Sequence, residues 1–204
     1  MRSYSQLGQD LTVLKFYNDK RDGYFIELGA SDGITLSNTY LLEKEFGWKG
    51  ICAEPVPVKY EALCKNRPNS KCYDKAVYNE SEQKVIFDVA KDSLFSGISD
   101  HIDCHKALVN ANKSQIIVTT ISFHDLLERA EAPNFIDYLS LDTEGSEYEI
   151  LKSIDFSRYK FGLIDIEHNF VEPRRTDIRR LLTKNGYDYI GANKWDDCYK
   201  YRLM

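Results

Sequence analysis

The sequence predicts an α/β protein with a doubly wound, mostly parallel sheet and an antiparallel hairpin at one edge. Short apolar segments of strand length alternate along the chain with segments of helical periodicity. One of the strands, in residues 24–33, breaks into a turn containing Gly29 and Gly33, as a β-to-α crossing does. Two strand-like segments, 187–190 and 198–203, follow the last predicted helix and fit a closing hairpin.

The first half of the chain supplies the start of this alternation. The predicted elements are, in order, a helix within 3–17, a strand at 24–28, helix 36–46, strand 50–54, helix 58–66 and strand 71–78. Pro55 and Pro57 end the second strand. Before the first helix, Gln6, Gln9 and Asp10 serve either as a cap or as a lid over a ligand.

The second half continues the alternation after an irregular middle. Segments 84–89 and 115–121 are β-branched and indicate strands or a hairpin-like insertion. The region between them is the least periodic, so the loops that recognise an acceptor substrate are expected there. The remaining elements are a helix opened by a Ser122–Asp125 capping pair, strand 136–141, a helix containing Tyr148, Leu151 and Ile154, strand 161–166, and a helix between Pro173 and Gly186.

Length and charge limit the classes of protein. The 204 residues form one predicted domain, 1–204, which can equally be a module of a longer polypeptide. A net charge of -5 argues against a broad nucleic-acid footprint. No apolar segment has the length of a membrane span or a signal peptide. The five cysteines are odd in number and lack a Cys-x-x-Cys pair, as expected for reduced thiols in the cytoplasm.

The turn after the first predicted strand indicates which ligand it holds. Its pattern, Glu27-x-Gly29-x-x-x-Gly33, lacks the third glycine of a dinucleotide site, and carboxylates at Glu27 and Asp32 would repel a phosphate. Glu54, at the end of the second strand, is placed to hold ribose hydroxyls. A phosphate-free, positively charged nucleoside fits, which predicts S-adenosylmethionine (SAM). The cofactor-binding residues expected here are Glu27, Gly29, Ala30, Ser31, Asp32, Gly33, Asn38, Thr39, Glu54, Asp74 and Lys75.

Methyl transfer to a hydroxyl needs a base or a metal ion, and acidic residues follow four predicted strands. His168 is the first candidate for the base, with Asp142 and Glu144 next. Alternatively Asp142 and Glu167, with His168 or Asn169, hold Mg²⁺ or Mn²⁺. His168 also fits a structural role in which it joins two loops. Single acids at strand ends are often helix caps.

The sequence contains two further clusters of ionisable residues. His101 and His105, with Asp103 and Cys104 between them, resemble a zinc pair without a third ligand at an established spacing. The basic cluster is interpreted as a solvated helix face or as a contact for an anionic group such as a sugar diphosphate; it comprises Arg174, Arg175, Arg179 and Arg180. The motifs of serine hydrolases and P-loop proteins are absent from the sequence.

Six segments together resemble one known family. They are Ser-Gln-x-Gly-Gln-Asp at 5–10, Phe-Ile-Glu-Leu-Gly-Ala-Ser-Asp-Gly at 25–33 with Leu-Ser-Asn-Thr at 36–39, Ala-Glu-Pro at 53–55, Ser-Gly-Ile at 96–98, Leu-Ser-Leu-Asp-Thr-Glu-Gly-Ser-Glu at 139–147 and Ile-Glu-His-Asn at 166–169. This set is similar to the FkbM family of SAM-dependent methyltransferases. Ser31 departs from it, since the family more often has asparagine there.

The resemblance implies a class I methyltransferase (Rossmann-like) fold with a seven-stranded sheet, and O-methylation, often of sugars. By it, Gly29, Asp32 and Glu54 would hold SAM, and Asp142 would lie beside the methionine part or the acceptor. The implied acceptor is a carbohydrate, for example a deoxysugar such as rhamnose in a glycan, and glycosyltransferase modules are implied partners. Two other functions stay open: a methyltransferase-like binding module without turnover, and a nicotinamide-dependent sugar oxidoreductase.

Overall fold

The fold was obtained as a computed structural model, which describes residues 2–90, 96–102 and 113–203. Six helices and eleven strands are defined within these ranges. The helices are α1 (Gln9–Phe16), α2 (Tyr40–Phe46), α3 (Pro57–Asn66), α4 (Phe123–Arg129), α5 (Glu147–Lys152) and α6 (Arg174–Lys184). The strands are β1 (Tyr24–Leu28), β2 (Lys49–Ala53), β3 (Ser70–Tyr73), β4 (Ala76–Tyr78), β5 (Lys84–Ala90), β6 (Gly97–Ile98), β7 (Lys113–Ser122), β8 (Phe135–Leu141), β9 (Lys160–Glu167), β10 (Tyr187–Asn193) and β11 (Asp196–Tyr201).

The main sheet has seven strands in the order β10-β11-β9-β8-β1-β2-β3. Five neighbouring strands pair in parallel, namely β3, β2, β1, β8 and β9. β11 pairs antiparallel with both β9 and β10, so the sheet is mixed, with four parallel and two antiparallel pairings. The seven-stranded sheet with an antiparallel edge hairpin is therefore confirmed.

Helices cover both faces of this sheet. Side chains alternate across a strand, so Ile26 and Phe25 belong to two different apolar clusters. The Ile26 cluster includes Leu126 of α4, and the Phe25 cluster includes Leu42 of α2. Burying both faces requires the nearly continuous apolar strands that the sequence shows.

A second, four-stranded sheet has the order β4-β7-β5-β6. The antiparallel pairing of β5 with β7 confirms the predicted hairpin-like insertion. The single strand predicted at 71–78 was wrong, because β3 and β4 belong to different sheets and are separated by Asp74 and Lys75. The chain therefore leaves the main sheet at this point.

Two predicted helix starts can be compared with the structure. The Ser122–Asp125 capping pair is confirmed, since Ser122 Oγ accepts from the Asp125 amide at 3.0 Å. The helix predicted over 36–46 begins only at Tyr40 because Ser37 and Thr39 turn back to bind Glu27. Within the described residues, no helix has the length and apolar character required to span a membrane.

Candidate functional site

A cavity of about 310 Å³ lies where the turns after β1, β2, β8 and β9 meet. This is the carboxyl end of the parallel strands, where ligands bind in open α/β sheets. Seven carboxylate side chains and two lysines line it: Glu27, Glu54, Asp142, Glu144, Asp165, Glu167 and Asp196, with Lys59 and Lys75. The site is therefore strongly acidic.

Gly29 begins the turn after β1. Its φ of 83° lies in the left-handed region, and a Cβ there would come within 2.0 Å of the Asp142 carbonyl oxygen. The amides of Gly29 and Ala30 donate to the carbonyl of Ala53 at 3.1 and 3.0 Å. The turn thus fixes the ends of β1, β2 and β8 against one another and places Ala30 and Ser31 at the cavity wall.

Three residues predicted to bind the cofactor make their contacts within the protein. Asp32 accepts from the amides of Ile34 and Thr35 at 2.9 and 2.7 Å, and these bonds oppose burial and lower its pKa. A Cβ on Gly33 would come within 2.7 Å of Arg67 Cγ, so this glycine makes room for α3 rather than for a ligand. Thr39 is buried and donates to Glu27 at 2.6 Å. Asp32, Gly33 and Thr39 therefore lie outside the cavity wall.

Glu27 is held by a residue that the sequence reasoning missed. Arg67, at the end of α3, is fully buried and lies 3.2 Å from Glu27 and 2.6 Å from Glu43. Its guanidinium also donates to Thr39 Oγ1 at 2.7 Å. A lone arginine at a predicted helix end gave no signal of this role. Glu27 therefore lines the cavity while it is ion-paired with the buried Arg67.

Glu54, Asn38 and Lys75 line the cavity as predicted. The two oxygens of Glu54 accept from the Ser31 and Val56 amides at 3.0 and 2.9 Å, while burial raises its pKa. Asn38 donates through Nδ2 to Ser140 Oγ at 2.9 Å, whereas its buried Oδ1 has no partner among the described residues. Asp74 lies outside the wall and pairs with Lys75 at 3.6 Å.

Asp142, Glu144 and Glu167 form an acidic cluster in the cavity. One carboxylate oxygen of each lies within 4.8 Å of the others. Loss of hydration among the surrounding residues, together with the charges of Asp196 and Glu147, raises the pKa of Asp142 from 3.8 to about 7. Burial and the Asp142 charge raise the pKa of Glu167 well above its usual range, and the two side chains share a hydrogen bond. The shared hydrogen bond lowers the pKa of Asp142 and raises that of Glu167, so Glu167 is the donor of the pair.

The loop from Asp142 to Glu147 is fixed from beneath. Glu147 Oε1 accepts from the Thr143 and Gly145 amides at 3.0 and 2.9 Å. Arg174, at the start of α6, donates to the Gly145 carbonyl at 3.0 Å. Sequence reasoning missed this use of Arg174. The contacts hold Asp142 and Glu144 at the cavity.

The structure does not place His168 in the cavity. Its side chain is 1% exposed. Nδ1 accepts from the Phe170 amide at 2.9 Å, and Nε2 faces Asp197 Oδ1 at 3.4 Å. Burial lowers its pKa. The predicted roles of His168 as base and as metal ligand have no support from this position: it joins the loop after β9 to β11, and the acidic cluster contains Glu144 with Asp142 and Glu167.

The four arginines of the basic cluster are all engaged. Arg175 and Arg179 bind Asp197 at 2.7 and 3.0 Å. Arg180 pairs with Asp177 at 2.8 Å, and Arg174 binds the Gly145 loop. The predicted contact with an anionic substrate has no support here, because these cations neutralise the protein's own groups.

The N-terminal segment closes one side of the cavity. Gln6 and Gln9 line it, and Gln9 donates to Asp196 at 2.7 Å. Asp10 is buried and organises residues 3–5, so it takes no part in the wall. His101 binds the Tyr78 hydroxyl at 2.7 Å, whereas the other members of the suggested zinc site, 103–105, lie outside the described residues.

The sheet order, the edge hairpin and the acidic cavity at the strand ends define a class I methyltransferase. Two solved methyltransferases share the fold. The METTL16 methyltransferase domain matches with a TM-score of 0.53 and 11% identity, over 98% of this chain and 68% of that one. Precorrin-6y C5,15-methyltransferase from Geobacter metallireducens matches with a TM-score of 0.51 and 13% identity, over 95% and 87%. Such identities establish the fold alone.

The chain belongs to the FkbM methyltransferase family, because the methyltransferase FkbM domain matches residues 27–189. A comparison with curated proteins gives no match. The family membership confirms the resemblance drawn from the sequence motifs and makes SAM the methyl donor.

Proposed function

We propose that the protein is an O-methyltransferase that transfers the methyl group of SAM to a hydroxyl of a sugar in a glycan or glycoconjugate. The observation that carries the proposal is the charge of the cavity, in which seven carboxylates face two lysines. A sulfonium and a neutral, hydroxyl-rich acceptor suit such a site, whereas phosphate-bearing nicotinamide dinucleotides and RNA would be repelled.

SAM is proposed to bind at one end of the cavity. Glu54 would meet the ribose hydroxyls and Lys75 would flank the adenine. Glu27 and Asn38 would meet the charged amino acid part, since Asn38 Oδ1 lacks a partner among the described residues and Glu27 is acidic. When bound, SAM supplies an electrophilic methyl group.

The acidic cluster supplies the proton acceptor for the hydroxyl. A general base works best when its pKa is close to the operating pH, and that of Asp142 is raised to about 7. Glu167 donates a hydrogen bond to Asp142 and so keeps its proton-accepting oxygen oriented. Glu144, within the same cluster, would orient the acceptor hydroxyl.

The cluster also offers a cation site, which is the alternative predicted from the sequence. Asp142, Glu144 and Glu167 would supply oxygen ligands to Mg²⁺ or Mn²⁺, and Asn169 also lines the cavity. The ion would lower the pKa of the acceptor hydroxyl. Activity unchanged after thorough chelation with EDTA would exclude this alternative, whereas loss restored by Mg²⁺ or Mn²⁺ would establish it.

The experiment that tests the function is incubation with methyl-labelled SAM and a panel of oligosaccharides. We expect label in a sugar O-methyl group. Saturable SAM binding with no transfer to any carbohydrate would favour the non-catalytic binding module. NAD binding without SAM binding would favour the oxidoreductase.

The cellular site proposed for this reaction is the cytoplasm. Four cysteines, Cys52, Cys64, Cys72 and Cys198, are free within the described residues. Thiols without disulfides fit a reducing compartment.

A further inference from the structure

Trp195 is a cavity-lining aromatic residue that the proposed chemistry does not yet use. It lies in the turn of the hairpin formed by β10 and β11, next to Lys194, where Asn193 pairs with Asp196. Its carbonyl accepts from the His168 amide at 2.8 Å and from the Asn169 amide at 3.4 Å. The backbone contacts fix the hairpin turn against the end of β9, independently of the indole side chain.

The position of Trp195 assigns it to the acceptor end of the cavity. The next residue, Asp196, pairs with Glu167 in the sheet register. Glu54 follows β2, which is four strand positions from β11, or about 19 Å at the usual spacing between strands. Trp195 therefore lines the cavity on the side of β9 and Glu167, away from Glu54, and the Lys194 ammonium lies 5.2 Å from the centre of its ring.

The chemistry around the indole matches a neutral sugar. A pyranose has an apolar face of C–H groups that packs on an aromatic ring, and hydroxyls at its rim that donate hydrogen bonds. Glu144, Glu167 and Asp196 also line the cavity and offer oxygen acceptors, and the acidic character of this lining disfavours phosphates and carboxylates. We infer that Trp195 forms the acceptor platform, on which the ring of an uncharged carbohydrate stacks. The inference rests on the proposed sugar methylation and names the substrate class within it.

Replacing the indole tests the platform, because Trp195→Ala and Trp195→Phe both keep the backbone contacts of the turn. For a glycan found to be methylated, we expect Trp195→Ala to raise KM about tenfold or more, with a smaller change in kcat and an unchanged Kd for SAM. Trp195→Phe should recover part of the loss. Phe170→Ala is the matched control, since Phe170 is 65% exposed on the neighbouring loop but lies outside the cavity wall.

Fluorescence provides a readout that needs no turnover. The chain has two tryptophans, and Trp48 is fully buried with its Nε1 donating to the Lys20 carbonyl at 2.8 Å. Titration with the accepted glycan should change the emission of the wild-type protein, and the change should disappear in Trp195→Phe. Glycan methylation with an unaltered KM in Trp195→Ala, or an emission change that persists in Trp195→Phe, would overturn the platform while leaving the methyltransferase function intact.

A charge series tests the second half of the inference. We expect a neutral methyl glycoside of the accepted sugar to be methylated, and its phosphate ester to be at least about tenfold poorer in kcat/KM. Equal use of the phosphorylated sugar would refute a neutral acceptor. Absence of methylation on every carbohydrate would refute the proposed function itself, so the two failures are distinguishable.

Discussion

Asp142 combines a cavity position with a raised pKa. Its carboxylate must ionise near Asp196 and Glu147, and its pKa is raised from 3.8 to about 7. The folded protein therefore binds this proton more tightly than the unfolded chain does. Ionisation costs stability, and the cost grows as the pH rises from about 4 to about 7. The ionised form of Asp142, which the proposed base needs at neutral pH, therefore destabilises the folded protein.

Asp142→Asn should reduce turnover by more than about a hundredfold, and it should also stabilise the protein at high pH. The melting temperature of the variant relative to the wild type should rise between pH 4 and pH 7, because the penalty for ionisation is removed. Thermal unfolding at a series of pH values measures this. Asp32→Asn is the control with the opposite sign, since the pKa of Asp32 is lowered and its carboxylate stabilises the fold above about pH 4. A pH-independent difference for Asp142→Asn would contradict the assignment.

His168→Asn should separate a structural histidine from a catalytic one. The side chain is buried and its pKa is lowered from 6.5, so the unfolded chain takes up the proton preferentially below that pH. We expect the variant to have a lower melting temperature near neutral pH. Its kcat should still increase with pH around 7, because Asp142, the proposed base, loses its proton in that range. Loss of that rise in kcat would return the role of base to His168.

At the scale of elements, buried polar contacts join the helices to the sheet. Arg67, the residue that follows α3, binds Glu27 of β1 and Glu43 of α2. The same guanidinium lies 5.1 Å from the centre of the Phe25 ring. The cofactor turn therefore depends on an arginine forty positions along the chain from Glu27.

Arg67→Met should destabilise the protein by about 3–5 kcal/mol, because two buried carboxylates lose their counter-charge. Chemical denaturation measures the free energy of unfolding. Adding Glu27→Gln and Glu43→Gln should restore part of the loss, which identifies charge as the cause. Arg180→Ala, on the exposed side of α6, should change stability by less than about 0.5 kcal/mol. A similarly small effect of Arg67→Met would show that the ion pairs of Arg67 do not stabilise the folded protein.

The elements that follow from local chemistry could be predicted from the sequence, and those set by distant contacts could not. The Gly29 turn and the Ser122 cap depend on neighbouring residues, and both were predicted correctly. The break between β3 and β4 was missed because the sheet that receives β4 is completed by β7, about forty residues later. At such a point the local pattern looks like one continuous strand.

At the scale of the whole molecule, segments that are far apart in the sequence meet to form the cavity. Residues from the N-terminal segment, four strand ends and the final hairpin all line it. The acids at the strand ends were predictable, because parallel strands end at one edge of the sheet. The sequence could not predict that His168 lies outside the cavity wall and Trp195 lies in it, because both positions depend on how β11 inserts beside β9.

The acidic cavity is proposed to accept a phosphate-free, positively charged nucleoside. Isothermal titration calorimetry of the wild-type protein with SAM and, separately, with NAD tests it most directly. We expect one saturable SAM site per chain, weakened by Glu54→Gln, and no heat of binding for NAD. Saturable binding of NAD with no response to SAM would contradict it.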